Sequence, residues 1–149
     1  MIGLPGSGKT TRAKELEGEL GALRLTPDEW HLFLFGHDVG AAAHNDRHTR
    51  VERIMWTVAA RVLALGTDVI LDFGCWAREE RDDFRARARA LGADFRLHFM
   101  DVPLDELKRR LEARNRVVGD APVFFISDEN LRAWAAQFQP PDADELRDG

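Results

Sequence analysis

The sequence predicts an α/β fold, in which helices cover both faces of a parallel sheet. Short apolar runs typical of buried strands alternate along the chain with longer segments whose apolar residues recur at helical spacing. Strands separated by helices of this length form right-handed βαβ units, and these units build parallel sheets. The chain has 149 residues, of which 44% are hydrophobic, so one compact domain can bury a core without disulfides.

The first predicted elements are a helix, a strand and a second helix. Apolar residues at helical spacing predict a helix from Thr10 to Leu20, and the apolar run from Ala22 to Leu25 predicts the strand after it. Thr26 then has the position of a helix cap, with Pro27 at the first helical position and Glu29 in the place of a capping box. We therefore expect a short second helix to begin here.

A long amphipathic helix and a buried strand form the middle of the chain. The segment from Gly36 to Asn45 is typical of a loop, and Gly66 ends the helix that follows it. The run from Val69 to Leu71 predicts the strand, which ends at Asp72. The apolar face of the helix comprises Val51, Ile54, Met55, Val58, Ala59, Val62 and Leu63.

The alternation continues through the second half of the chain. A charged helix that ends at Gly92 is followed by a predicted strand from Phe95 to Met100. Further helices are predicted after Pro103 and after the capping residue Ser127. Gln139 to Gly149 is acidic and contains two consecutive prolines, so we expect it to be a loose end.

A glycine-rich segment near the start carries the strongest functional signal. Gly3 to Thr10 match the phosphate-binding loop pattern G-x-x-x-x-G-K-[ST] at every fixed position and open a predicted helix. In such a loop, backbone N–H groups and the helix N-terminus bind phosphates, the lysine reaches the terminal phosphates, and the last hydroxyl ligates Mg²⁺. A glycine-rich turn that merely precedes a lysine is the weaker alternative, because the full pattern and the helix are both present. The predicted nucleotide-binding residues are Pro5, Gly6, Ser7, Gly8, Lys9, Thr10 and Thr11.

Two acidic residues follow predicted strands, at the edge of the sheet where ligands of α/β proteins bind. Asp72 follows the strand from Val69 to Leu71, so with Thr10 it is a candidate ligand for Mg²⁺; capping of the next helix is the alternative. Asp28 follows the preceding strand and could accept the proton of an attacking hydroxyl. Charge compensation in the first turn of a helix explains Asp28 equally well from the local sequence.

A basic cluster lies in the predicted helix after Pro103. Arg110 and Arg114 are four residues apart and share a face opposite the apolar residues, which suits a lid over phosphates. The alternative is an ordinary solvated face, paired with Glu106 and Glu112. The cluster comprises Lys108, Arg109, Arg110, Arg114 and Arg116.

Charge, cysteine content and hydropathy argue against several classes of protein. The net charge of −5 argues against binding to nucleic acid through bulk electrostatics. With one cysteine, no signal-like segment and no apolar run of membrane-spanning length, we expect a cytoplasmic protein without membrane contact. His44 and His48 share a helix face and could hold a metal, but no third ligand is evident in the sequence, and no metal site is predicted there.

Four segments together resemble the predicted-kinase group of P-loop proteins, often labelled AAA-family ATPases. They are the phosphate loop, the Leu-Thr-Pro-Asp turn at Asp28, the Val-Ile-Leu-Asp segment at Asp72, and the stretch from Asp101 to Asn115. The resemblance covers residues 1 to about 141, and the group is similar to polynucleotide kinases, zeta toxins and antibiotic phosphotransferases. It implies a three-layer P-loop NTPase fold with adenylate-kinase-like topology, and ATP with Mg²⁺ as cofactors.

The resemblance also implies a domain organisation and roles for particular side chains. It implies a kinase-like domain over 1–141 with a short arginine-bearing lid at about 108–122, and an acidic tail over 142–149. Within that domain, Asp28 corresponds to the acid that activates the acceptor hydroxyl. Lys9, Arg110 and Arg114 correspond to the cations that hold the transferring phosphate.

Two departures from the family pattern bear on the acceptor and on the sheet. Polynucleotide kinases carry an arginine three residues after the base, where this chain has His31, so a nucleic-acid acceptor is disfavoured. Only Met1 and Ile2 precede the loop, so we expect an abbreviated first strand in a central position. The resulting hypothesis is an ATP-dependent phosphotransferase acting on a small-molecule hydroxyl; the alternatives are an ATPase or switch module without an acceptor, and a polynucleotide 5′-hydroxyl kinase.

Overall fold

The computed structural model describes residues 1–116 and 123–147, and its element order follows the predicted alternation. None of the helices in these two ranges is both long enough and apolar enough to cross a bilayer. The strands are β1 (Leu23–Leu25) and β2 (Val69–Leu71), and the helices are α1 (Lys9–Leu20), α2 (Pro27–Phe35), α3 (His44–Ala64), α4 (Arg78–Ala90), α5 (Leu104–Asn115), α6 (Asp128–Gln137) and α7 (Ala143–Arg147).

The sheet is parallel, as predicted, and the first segment of the chain lies inside it. β1 pairs with β2 in parallel, with Leu23 opposite Val69. Ile2 forms parallel bridges to Gly74 on one side and to Phe99 on the other. The order across the sheet is therefore β1, β2, Ile2 and Phe99, which places the abbreviated first strand between two neighbours.

The predicted strand from Phe95 to Met100 is wrong in its extent. Only Phe99 makes a bridge, through hydrogen bonds from Ile2 N to His98 O (2.8 Å) and from Met100 N to Ile2 O (2.9 Å). Ile2 leads directly into the phosphate loop. The segment that would pair with the residues after Phe99 is therefore loop instead of strand, and the ladder stays short.

Helices cover both faces of the sheet because strand side chains alternate between the two faces. Ile70 packs in a cluster with Ala13 and Leu16 of α1, whereas its strand neighbours Val69 and Leu71 pack against the cluster that includes α3. A third cluster joins α5 and α6 through Leu107, Leu111, Phe124, Ile126 and Leu131. The phosphate loop lies between the cluster on α1 and the cluster that joins α5 to α6.

The start of α2 differs from its predicted cap. Thr26 precedes the helix but makes no capping hydrogen bond; its hydroxyl donates to Asp72 Oδ2 at 3.2 Å and accepts from Arg24. Glu29 pairs with the Arg24 guanidinium (3.2 Å) instead of completing a capping box. The Arg24 guanidinium, a charged donor, occupies the acceptor site on the Thr26 hydroxyl that a helix N–H would otherwise use, and the hydroxyl proton points to Asp72. The predicted cap of α6 is confirmed, because Ser127 Oγ accepts from Asn130 N at 3.1 Å.

The acidic end is more ordered than the sequence suggests. Ala143–Arg147 forms α7, and Glu145 is buried against Arg81 of α4, with Arg81 Nε 2.7 Å from Glu145 Oε1. Both side chains are 1% exposed. The expectation of a loose end is therefore wrong for residues 143–147, because the ion pair anchors the helix; residues 148–149 lie outside the described part of the chain.

Candidate functional site

The phosphate loop connects the bridged residue Ile2 to α1 through backbone conformations that require glycine. Gly6 and Gly8 have φ values of 83° and 95°, in the left-handed region. A Cβ on Gly6 would lie 3.1 Å from Leu111 Cγ, and a Cβ on Gly3 would lie 2.7 Å from Ser7 Oγ. The spaced glycines of the motif therefore let the backbone turn tightly between the strand and α5.

The N-terminus of α1 is available to an anion. The first N–H groups of a helix have no partner within it, and the helix dipole adds positive charge there. No acidic side chain occupies the first turn of α1. Ser7 Oγ is buried and has no hydrogen-bond partner among the described residues. These unpaired donors fit a phosphate group.

Lys9 lies at the floor of this loop. Its Nζ donates to Leu4 O at 3.0 Å. Burial lowers the pKa of Lys9, and the negative charges of Asp72 and Asp28 oppose that effect. One carbonyl oxygen leaves part of the donor capacity of an ammonium unused, so Lys9 can also bind a phosphate oxygen.

Asp72 and Thr10 form the candidate magnesium site. The Thr10 hydroxyl donates to Asp72 Oδ2 at 2.6 Å, and Asp72 is buried at the end of β2. Burial raises the pKa of Asp72, which the hydrogen bond from Thr10 and the charge of Lys9 counteract. Asp72 Oδ1 is buried without a described partner. A buried carboxylate oxygen next to a hydroxyl matches the oxygen ligands that Mg²⁺ prefers, so the donor set fits this cation.

Asp28 and Arg114 both lie close enough to Lys9 to influence its charge. Asp28 lies in the first turn of α2 with its side chain 59% exposed. Arg114 Nη2 donates to Phe124 O at 3.1 Å, while its Nε is buried without a described partner. Burial lowers the pKa of Arg114, and the negative charge of Asp28 raises it. Burial and Asp28 have the same two opposing effects on the pKa of Lys9. The fold thus gathers Lys9, Asp28, Asp72 and Arg114, which are distant in sequence.

Arg110 has a different environment from Arg114. Its Nε donates to Glu106 Oε1 at 2.7 Å and its side chain is 44% exposed. Arg109 binds the same carboxylate, and Lys108 lies 3.2 Å from Asp128. These three residues have the contacts of a solvated helix face. Of the predicted lid at 108–122, residues 117–122 lie outside the described part of the chain.

Two residues lie beside Asp28: His48, which the sequence suggested only as a partner of His44, and Glu52, which the sequence analysis did not single out. His48 Nε2 lies 3.9 Å from Asp28 Oδ1 and 3.6 Å from Glu52 Oε1. Burial raises the pKa of Glu52 to about 7, and the charges of Glu80 and Asp28 contribute. The i,i+4 spacing of His48 and Glu52 was visible in the sequence, but their proximity to Asp28 depends on the packing of α2 on α3.

Comparison with known protein families supports a nucleotide-binding domain. The profile of a family described as "AAA domain" matches residues 1–141, nearly the whole chain. A search of curated proteins found no match. The matched range includes every residue of the site described above.

Proposed function

We propose an activity for this chain, which belongs to the AAA domain family, a P-loop type of nucleotide-binding domain that includes kinases. The proposed activity is ATP-dependent phosphoryl transfer to a hydroxyl group of a small molecule. The observation that carries it is the convergence of an exposed carboxylate, Asp28, with the cations Lys9 and Arg114 at one phosphate loop.

The loop and the end of β2 hold the nucleotide in this proposal. The backbone N–H groups of residues 6–11 and the ammonium of Lys9 bind the phosphates, while Pro5, which has no N–H, is part of the loop. Thr10 and Asp72 would hold Mg²⁺, which neutralises charge on the phosphate oxygens when it is bound. Ser7 Oγ, unpaired among the described residues, adds one more donor.

Asp28 acts on the acceptor. Its exposed carboxylate can accept the hydroxyl proton as the oxygen attacks, while Arg114 stabilises charge on the phosphoryl group in transfer. Arg110 contributes from the rim of the lid, after exchanging its surface pair with Glu106 for a phosphate oxygen. In an ATPase without an acceptor, the same carboxylate would orient a water molecule instead of a hydroxyl, so the two activities are separated by their products.

A small molecule is a better acceptor than a nucleic acid. His31, in the position where polynucleotide kinases carry an arginine, is 0% exposed and cannot contact a substrate phosphate. The net charge of −5 also opposes a polyanion.

The test is a screen of hydroxyl-bearing metabolites, antibiotics and 5′-hydroxyl oligonucleotides with ATP labelled at the γ-phosphate and Mg²⁺. Label transferred to a small molecule, and absent with Lys9→Ala, is the expected result. Release of labelled phosphate without any labelled product would favour the ATPase, and labelled oligonucleotides would favour the polynucleotide kinase.

A further inference from the structure

Behind Asp28, the packing of α2 on α3 assembles a cluster of imidazole and carboxylate groups. His31 comes from α2, Asp38 from the following loop and His44 from the first turn of α3. Their ligand atoms lie within 4.8 Å of one another. In the described ranges, no other group of three His, Cys, Asp or Glu residues meets this criterion.

One carboxylate oxygen is the centre of the cluster. Asp38 Oδ1 lies 2.7 Å from His31 Nε2 and 2.6 Å from His44 Nδ1. Arg47 Nη1 contacts the other oxygen, Oδ2, at 2.9 Å and so fixes the carboxylate orientation. Ligating carboxylates in metal sites are commonly held by such an outer hydrogen bond. The arrangement leaves Oδ1 and two ring nitrogens facing one point.

We propose that His31, Asp38 and His44 bind one divalent transition-metal cation, for which Zn²⁺ is the best match. Two imidazole nitrogens and one carboxylate oxygen are a zinc ligand set, whereas Mg²⁺ prefers oxygen ligands alone. Bonds of about 2.0–2.2 Å from a tetrahedral ion place its ligand atoms roughly 3.3 Å apart, so each ring nitrogen would move away from Asp38 Oδ1 by less than about 1 Å. A water molecule completes the coordination from the partly exposed side of His44.

Proton positions in the cluster permit this exchange. The cation takes the place of the ring protons that point at Asp38, and each neutral imidazole then carries its proton on the other nitrogen. The hydrogen bond to Asp38 holds the His31 proton on Nε2, and metal binding moves it to Nδ1, which is buried without a described partner and so weakens the site. Because Arg47 already compensates the charge of Asp38, we expect a Kd in the micromolar range rather than a tighter one.

The cation would link α2 to α3 across the loop at 36–43. His31 lies one helical turn after Asp28, so the link would also stiffen the helix that carries this carboxylate. A ligand that binds only the folded chain raises its melting temperature, by about 5–10 °C for a chain of this size at a hundredfold excess over Kd. Mg²⁺ lacks affinity for imidazole, so the shift caused by Zn²⁺ is expected to persist in excess Mg²⁺.

The test is calorimetric titration of the full chain with Zn²⁺ in the presence of excess Mg²⁺, followed by visible absorption with Co²⁺ as the spectroscopic probe. We expect one Zn²⁺ per chain and the ligand-field bands of a nitrogen-containing Co²⁺ site. Asp38→Asn and His44→Gln should each weaken binding by more than about 100-fold. His44→Gln keeps a hydrogen-bonding group at the partly exposed position, so it serves if Asp38→Asn fails to fold.

The matched control is His37→Gln, because His37 is an exposed histidine in the same loop and lies outside the cluster. It should bind Zn²⁺ as the parent does. No Zn²⁺ binding by the parent would overturn the proposal. Equal binding by a folded His44→Gln variant, or equal loss in His37→Gln, would overturn it as well.

Discussion

The phosphate loop and the Arg81–Glu145 pair between α4 and α7 both bury charged side chains, but only in the Arg81–Glu145 pair does every charged atom have a partner. In that contact, Arg81 donates to both carboxylate oxygens of Glu145, at 2.7 and 3.0 Å. Its remaining guanidinium nitrogen reaches the carbonyl oxygens of Cys75, Trp76 and Gln139.

At the phosphate loop the buried polar groups are left incomplete. Asp72 Oδ1, Ser7 Oγ and Arg114 Nε have no partner in the described part of the chain. Burying a polar group without a partner costs free energy, so proteins keep such groups mainly where a ligand completes them. The fully paired Arg81–Glu145 contact is therefore structural, and we propose that a ligand completes the three unpaired atoms at the phosphate loop. The other unpaired buried atoms in the described ranges are Arg85 Nε, His31 Nδ1 and His48 Nδ1. The two regions should respond oppositely to mutation.

The largest expected effect on stability comes from Glu145→Ala. It leaves the Arg81 guanidinium buried without its charged partner, which costs about 3–5 kcal/mol in free energy of unfolding. ATP turnover per folded molecule should not change. Urea denaturation measures the loss, and Asp144→Ala, which removes an exposed neighbour that is 81% accessible, is the control with little effect. A loss below about 1 kcal/mol would mean that α7 is not held by this pair.

Lys9→Ala should show the opposite pattern. Removing the ammonium takes away a preorganised donor to the phosphates, so we expect turnover to fall by about 10²–10³. Stability should be retained, because a buried ammonium with one carbonyl partner is expensive to desolvate. Lys14→Ala, an exposed position on the same helix, is the control. Unchanged turnover in Lys9→Ala would disprove the phosphate-loop assignment.

Within α5, Arg114 and Arg110 give a smaller test of the same contrast. Arg114→Ala removes a charged donor that we expect to bind the phosphoryl group during transfer. It should lower the transfer rate by about 10- to 100-fold, with a smaller change in ATP affinity. Arg110→Ala should lower the rate less, since its present partner is a solvated carboxylate. If neither variant changes the rate, the cluster is only a solvated face of the helix.

The smallest expected effect is the acid dependence of the α4–α7 contact. The Arg81 guanidinium lowers the pKa of Glu145 from 4.5 to about 2. A carboxyl whose pKa is lowered in the folded state stabilises fully above its unfolded pKa, and this contribution is lost as the pH falls from 4.5 towards about 2. The difference in melting temperature between the parent and Glu145→Gln should therefore shrink over this range. A constant difference would show that ionisation of Glu145 is irrelevant to the contact.

Most elements of the fold could be predicted because they follow local rules. Apolar spacing predicted α1, and the first two strands follow from β-branched and aliphatic runs such as Val69–Leu71. Two errors came from long-range contacts. Thr26 resembles a cap but binds Asp72, 46 residues away, and Glu145 looks solvated but pairs with Arg81 at a separation of 64 residues. No local pattern encodes such partners.

In the candidate site, too, the features that follow local rules could be predicted and those that depend on long-range contacts could not. The spaced glycines, Lys9 and Thr10 were readable because successive backbone amides must form the phosphate cradle. The different environments of Arg110 and Arg114 were not readable, since these two residues share one helix face and differ only through their contacts with Glu106 and with Phe124. The proximity of His31 and Asp38 to His44 was not readable either, because His31 belongs to another helix and Asp38 to the loop between the two helices.

The most direct test of the account is the effect of Asp28→Asn on phosphoryl transfer, measured together with ATP affinity on the acceptor found by the screen. The substitution removes the proton-accepting carboxylate and keeps its size, and Glu29→Gln is the control for loss of charge in the same helical turn. The account predicts a transfer rate lower by about 10²–10⁴ with ATP affinity nearly unchanged, and parent-like transfer by Glu29→Gln. Equal transfer by Asp28→Asn, with any loss confined to the melting temperature, would contradict it.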